Sequence, residues 1–244
     1  MLCLVAACGH GIHDEIEMMP PPVVYAAGEV DPFPEVTDAS LQEQSKLFYV
    51  TDRRPAANED EPTYYANERG YILRAGTVDI VADPPFSSWE ELRAISMSEE
   101  ISVKRVLKIK DAQEIGVLPV ANTSLQPSVP ERADAQESGR VFAQAINNQL
   151  AESNQKDIFI YVPGYNVDFD FPVLASKELQ HYLGYRGAFI TYSWPATPNL
   201  FAYFKDLETA DATRRNLREL IIFLSKNTVG RMEYWNIGIW VLAT

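Results

Sequence analysis

The sequence has few cysteines, no long apolar run and fewer basic than acidic residues. Only Cys3 and Cys8 occur in 244 residues, which excludes a disulfide framework and a cysteine-based structural zinc module. No apolar run approaches the about 20 residues that span a bilayer, which argues against an integral helical membrane protein. Thirty-four acidic against 21 basic residues give a net charge of −13, so we expect no nucleic-acid partner.

What remains is the composition of an ordinary globular chain. Hydrophobic residues make up 46% and charged residues 23% of the sequence. The length suffices for one large domain or two small ones with a sizeable buried core.

The first 45 residues differ in character from the rest. Val5-Ala-Ala-Cys8 resembles a bacterial lipobox, which implies that residues 1–8 are a signal remnant and that Cys8 carries lipid. We therefore expect an exported chain anchored in the bacterial cell envelope, with a cytoplasmic location as the alternative. Residues 9–45, rich in proline and acids, are predicted to form an extended tether. A zinc site of Cys3, Cys8, His10 and His13 matches no standard spacing, so we expect no metal.

The folded domain is predicted to span residues 46–244, and its first part is β-rich. In residues 46–121 we expect a strand at 47–51 closed by a turn at Asp52–Pro55, and further strands at 71–81 and 102–110. Residues 122–137, rich in serine, proline and alanine, are predicted to be a loop.

Helices and strands alternate in the remaining part, residues 138–244. Helices are predicted at 138–152, from about Pro172 to a stop at Gly184, and at 206–226. Strands are predicted at 158–163, 188–194 and 234–241. This alternation predicts an α/β fold, a three-layer sandwich with a mostly parallel sheet. Ligands bind at the carboxyl ends of strands in such sheets, here Pro163–Asn166 and Ser193–Pro195.

Five segments in matching order resemble a bacterial α/β-hydrolase family that is esterase/lipase-like and of uncharacterised function. The resemblance covers about Lys46 to Asn236. The five segments are Phe48-Tyr-Val-Thr-Asp-Arg-Arg-Pro55, Glu68-Arg-Gly-Tyr-Ile-Leu-Arg-Ala-Gly76, Tyr161-Val-Pro-Gly-Tyr-Asn166, Ser193-Trp-Pro195 and Tyr203-Phe-Lys-Asp206-Leu-Glu-Thr-Ala210. The family usually has histidine where this chain has Pro163.

The resemblance implies an oxyanion-binding loop at Gly164, Tyr165 and Asn166, with the Tyr165 N–H as the candidate donor. Without the resemblance, Pro-Gly-Tyr-Asn is typical of a plain tight turn. Ser193, Trp194 and Asp206 are the candidate pocket residues. A small-molecule or lipid ester is the implied substrate, and the chemistry needs no cofactor.

The chain lacks the rest of a serine hydrolase. No Gly-x-Ser-x-Gly elbow occurs, so we name no catalytic nucleophile, acid or histidine. His181 is predicted to lie on an exposed helix face, and Ser193 to be structural. We expect an inactive, truncated or frameshifted hydrolase whose sheet is incomplete at its C-terminal end.

A non-catalytic, membrane-tethered binding protein that uses aromatic residues at the strand ends is the alternative function. A nucleotide-binding domain is disfavoured because no Gly-x-Gly-x-x-Gly or Walker loop is present.

Overall fold

A computed structural model describes residues 15–34, 36, 46–57, 64–98, 103–120, 134–199 and 202–233. Its strands are β1 Glu15–Glu17, β2 Leu47–Pro55, β3 Tyr65–Asp83, β4 Val106–Val117, β5 Asp157–Tyr161, β6 Ala188–Ser193 and β7 Arg231–Glu233. Its helices are α1 Val23–Ala26, α2 Trp89–Ser96, α3 Ala135–Glu152, α4 Asp170–Tyr182 and α5 Tyr203–Asn227. The predicted strand at 234–241, the lipidation candidate Cys8 and most of the predicted 122–137 loop lie outside these residues.

The described strands form one mixed sheet in the order β1-β4-β3-β2-β6-β5-β7. The pairs from β1 to β2 are antiparallel, and the pairs from β2 to β7 are parallel. The expectation of a mostly parallel sheet was therefore wrong. β2, β3 and β4 follow one another in antiparallel pairs. By contrast, α4 connects β5 to β6 and α5 connects β6 to β7, and each helix carries the chain back to the same end of the sheet, so these three strands run parallel.

Helices cover both faces of the sheet, so the three-layer expectation agrees with the structure. Phe142 and Ile146 of α3 and Leu220 of α5 share one core with Ile158 and Ile190 of the strands. Val173 of α4 packs on the opposite face, against Tyr49, Phe159 and Phe189. Adjacent strand residues thus point to opposite layers, as the two-residue period of a strand requires.

The stretch predicted to be part of a tether is packed against the domain where the structure describes it. β1 pairs with β4, the Tyr25 hydroxyl donates to the Tyr182 carbonyl at 2.9 Å, and Phe33 is 2% exposed. The rings of Phe33 and Trp89 meet edge to face with centroids 5.3 Å apart. Residues 15–34 therefore cover α2 and α4 instead of extending away from them.

Among the residues given above, no helix combines the length and the apolar character needed to cross a bilayer. Within the same residues, no three histidine, cysteine, aspartate or glutamate side chains are grouped closely enough to hold a metal ion.

Candidate functional site

The parallel half of the sheet brings three segments together at one edge. Thr51 of β2 is in register with Ser193 of β6, and Tyr161 of β5 is in register with Thr191. The residues that follow, at 52–53, 162–169 and 194–197, therefore meet at the carboxyl ends of these strands. Both sequence-predicted loops are among them.

The buried side chain of Arg53 connects the three segments. It is fully buried, and its guanidinium makes five hydrogen bonds, which is the number of N–H groups it carries. Nε donates to Ser193 Oγ at 3.1 Å, one terminal nitrogen to Asn67 Oδ1 and the Ala196 carbonyl, and the other to the carbonyls of Val167 and Asp168, both at 3.0 Å. Burial lowers the pKa of Arg53 to about 10, so the side chain stays charged at neutral pH. Arg53 thus fixes the two loops relative to each other.

Asp52, next to it, connects the same edge to α5. Its Oδ2 accepts hydrogen bonds from Thr213 Oγ1 at 2.5 Å and Asn216 Nδ2 at 2.7 Å. Because Thr213 uses its hydrogen on Asp52, the Tyr192 hydroxyl must be the donor in its 2.7 Å contact with Thr213 Oγ1. Burial raises the pKa of Asp52, and its Oδ1 has no partner among the described residues.

The Pro163–Asn166 loop is held so that its amides face outward. Trp194 Nε1 donates to the Pro163 carbonyl at 2.9 Å, inside the protein. A trans peptide is planar, so the Gly164 N–H on the same peptide points away from Trp194. Asn166 has φ of 62°, a left-handed conformation that reverses the chain after Tyr165. None of the N–H groups of Gly164, Tyr165 and Asn166 donates to an acceptor in the described residues.

The space in front of this loop is open and partly apolar. A side chain built at Gly164 would meet no described atom within 4 Å. The Tyr165 ring, 40% exposed, meets that of Tyr203 edge to face at 5.4 Å, and Tyr203 in turn contacts the ring of Phe204, which is 80% exposed. Tyr165, Tyr203 and Phe204 form what we call the aromatic strip. The amides therefore border a surface that apolar groups can contact.

The remaining predicted pocket residues, Ser193 and Asp206, form hydrogen bonds that hold the loops in place. Ser193 is fully buried, and its Oγ receives the Arg53 hydrogen bond. Asp206 is 2% exposed, and both of its carboxylate oxygens accept the Thr197 N–H, at 3.0 and 3.2 Å. Asp206 thereby fixes the segment that follows Trp194. Asn166 Oδ1 is buried and has no hydrogen-bond partner among the described residues.

The expectation that His181 is exposed was wrong. It is 5% exposed, with Nδ1 2.8 Å from the Tyr185 hydroxyl and Nε2 2.6 Å from Ser96 Oγ. The residues that cover it, Phe33 among them, come from the N-terminal segment and α2. His181 is the one histidine among the described residues, and its partners are Ser96 and Tyr185, so Ser193 has no histidine base within the described part of the chain.

Comparison with known families bears on the second half of the chain. Residues 139–233 match the model of a family described as an alpha/beta hydrolase of unknown function (DUF900). The matched segment is less than half of the chain and runs from within α3 to β7. It is similar to that family, and it includes both loops and Asp206. Searches of curated proteins and of solved structures found no match.

The residue that organises this site was missed in the sequence. Asp52, Arg53 and Arg54 were interpreted as a turn, whereas β2 continues through Pro55. The turn prediction was wrong because Asp52 and Pro55 are residue types typical of turns, whereas here the strand continues through them. No spacing rule identifies a buried arginine whose acceptors are carbonyls from distant loops.

Proposed function

We propose that the carboxyl edge of β2, β6 and β5 is the acyl-binding side of an esterase/lipase-like hydrolase site. In this proposal the N–H groups of Gly164 and Tyr165 stabilise negative charge on an ester-derived oxygen. The match to an alpha/beta hydrolase family supports this reading. Its main support is that these amides have no described acceptor, while Trp194 and Arg53 fix the surrounding backbone.

Fixed amides are suited to this task because they need no rearrangement as charge develops. One such donor accounts for about 3–4 kcal/mol of transition-state stabilisation in acyl transfer. Pro163 has no N–H and no imidazole, so it contributes only its carbonyl, which binds Trp194.

The aromatic strip suggests which part of the substrate lies beside the amides. Exposed rings of Tyr165, Tyr203 and Phe204 favour an apolar acyl or alkyl group over a charged one. We therefore propose an ester with an apolar chain as the substrate class.

The 244 residues contain no Gly-x-Ser-x-Gly, and the Ser193 hydroxyl is buried against Arg53. We therefore propose that this chain alone does not hydrolyse esters. The test is release of p-nitrophenol from p-nitrophenyl butyrate. The expected rate equals that of buffer with heat-inactivated protein. Hydrolysis above that rate that disappears in Ser193→Ala would contradict the proposal.

The oxyanion role is tested separately, without turnover. Butyrate carries a charged oxygen on an apolar chain, and butanol is its neutral control. We expect butyrate, but not butanol, to move the amide proton resonances of Gly164 and Tyr165 downfield in NMR spectra. Tyr165→Pro removes the N–H and the ring, whereas Tyr165→Ala removes only the ring. If the proline variant responds to butyrate as the alanine variant does, the Tyr165 amide is not the donor.

A further inference from the structure

A cavity lies on α4, and none of the loop residues described above lines it. It has a volume of about 210 Å³, is partly open to solvent, and is lined by α4, the strands β3 and β4, residues around α2, and Met18. Ile80, Leu107 and Phe86 supply apolar wall, and Lys177, Glu178 and His181 supply polar groups. Such a mixture of apolar wall and a few polar groups is typical of a small-molecule site.

His181 has no capacity left for a ligand. Ser96 donates its hydroxyl hydrogen to the Leu92 carbonyl at 2.7 Å, so Ser96 Oγ must accept from His181 Nε2–H. Nδ1 then accepts from the Tyr185 hydroxyl. Burial, together with the charge of Lys177, lowers the pKa of His181 to about 3, so the ring is neutral.

Lys177 is also engaged. Its Nζ donates to Gln180 Oε1 at 3.1 Å and lies 5.5 Å from the centroid of the Tyr185 ring. Burial lowers the pKa of Lys177 to about 8, and the charge of Asp79 opposes that shift. The ammonium group thus has partners within the protein.

Glu178, unlike His181 and Lys177, has an atom that is available to a ligand. It is 2% exposed, and its Oε2 accepts the Met19 N–H at 3.2 Å. Its Oε1 accepts no hydrogen bond, and no cation pairs with the carboxyl group, among the described residues. Burial raises the pKa of Glu178 to about 7. A buried carboxylate with a free oxygen costs stability unless a donor reaches it.

We propose that this cavity binds a small primary amine with an apolar body, its ammonium group on Glu178 Oε1 and its body against Ile80, Leu107 and Phe86. A ligand carboxylate is disfavoured because it would face Glu178, and the ammonium of Lys177 is already bound. A body of one aromatic ring with a short chain suits a cavity of this volume. This inference does not depend on the proposed hydrolase function.

Three probes of one shape test it: phenethylamine, 2-phenylethanol and 3-phenylpropionate, titrated calorimetrically at pH 8. We expect phenethylamine to bind at least about tenfold more tightly than the alcohol, since a charged hydrogen bond replaces a neutral one. We expect no binding of 3-phenylpropionate. Glu178→Gln should remove the preference for the amine, and Glu208→Gln, the same charge change on the exposed face of α5, should leave it intact.

The affinities of the unaltered chain for the three probes are enough to test the proposal, without any variant. Equal affinity for amine and alcohol, tighter binding of 3-phenylpropionate, or no binding of any probe would each overturn the proposal. In Glu178→Gln, circular dichroism and the thermal midpoint show whether the fold persists. A folded variant that retains the amine preference would likewise overturn it.

Discussion

The indole Nε1–H of Trp194 donates to the carbonyl oxygen of Pro163 at 2.9 Å, joining the residue after β6 to the loop after β5. This bond sets the orientation of the peptide whose N–H is offered to substrate in our proposal. A side chain on one loop thus determines which way the backbone of the other loop faces.

Replacing Trp194 by phenylalanine should loosen that peptide. The Pro163 carbonyl would lose its buried donor, which costs about 1–3 kcal/mol. We expect a matching decrease in the free energy of unfolding in urea and lower heteronuclear NOE values, which report faster backbone motion, at Gly164 and Tyr165. Trp89→Phe also shortens a buried tryptophan but breaks no described hydrogen bond, so it serves as the control. Equal heteronuclear NOE values in the two variants would show that the indole bond does not hold the loop.

Arg53 should be the most sensitive position at this edge. Arg53→Met leaves the carbonyls of Val167, Asp168 and Ala196 without their donor, and we expect a loss of about 3–5 kcal/mol in the free energy of unfolding. Arg53→Lys keeps a charge but not the planar five-donor group. We therefore expect its free energy of unfolding to lie between that of Arg53→Met and that of the wild type.

The neighbouring residue is the matched control for that experiment. Arg54 is partly exposed and pairs with the exposed Glu68 at 3.0 Å, so Arg54→Met should change the free energy of unfolding by under about 1 kcal/mol. A similar loss at both positions would refute the role given to Arg53.

Glu178 predicts a specific pH dependence of stability. Its pKa is about 7 in the folded chain and near the ordinary 4.5 when unfolded, because burial disfavours the ionised form. Its contribution to stability is therefore complete below pH 4.5 and is lost as the pH rises through 7. Relative to Glu178→Gln, wild type should lose about 3 kcal/mol across that range. His181 and Lys177 remain in both proteins, so the difference between the two urea-unfolding curves isolates Glu178. Parallel pH profiles would contradict the prediction.

The N-terminal segment should contribute to the stability of the domain. Phe33→Ala removes a buried ring from Trp89 and His181, with an expected cost of about 3–5 kcal/mol. Val23→Ala, at a side chain that is 77% exposed, should be nearly neutral. Thermal unfolding and limited proteolysis measure both. A neutral Phe33→Ala would mean that residues 15–34 are not part of the cooperative unit.

The regular spacing of apolar residues made the second half of the fold predictable. The apolar runs at β5 and β6 and the helical stripes of α3, α4 and α5 agree with the structure to within a few residues. Gly184, predicted to stop α4, has φ of 72° just beyond its end at Tyr182. These patterns depend only on residues close together in the sequence. They match the structure because each face of a helix or strand lies in one environment, either the core or the solvent.

The missed features depend on contacts between distant segments or on weaker signals. His181 is buried because Phe33 and Trp89, which come from distant segments, cover it together with Tyr185. Arg53 is buried because the two loops and Asn67 of β3 supply acceptors for it. α2 was overlooked although Ser88 and Glu91 have capping-box spacing, and Ser88 Oγ accepts the Glu91 N–H. In the candidate site, the two loops could be located from the sequence, but not the side chains that hold them.

β2 pairs in parallel with β6 on one side and antiparallel with β3 on the other. The segment that matches the family begins after β2, so it lacks the neighbour that completes β6 and the arginine that joins its loops. Residues 134–233 expressed by themselves should therefore expose an unpaired backbone edge and self-associate. Domain boundaries drawn from the family match alone would cut through a single folding unit.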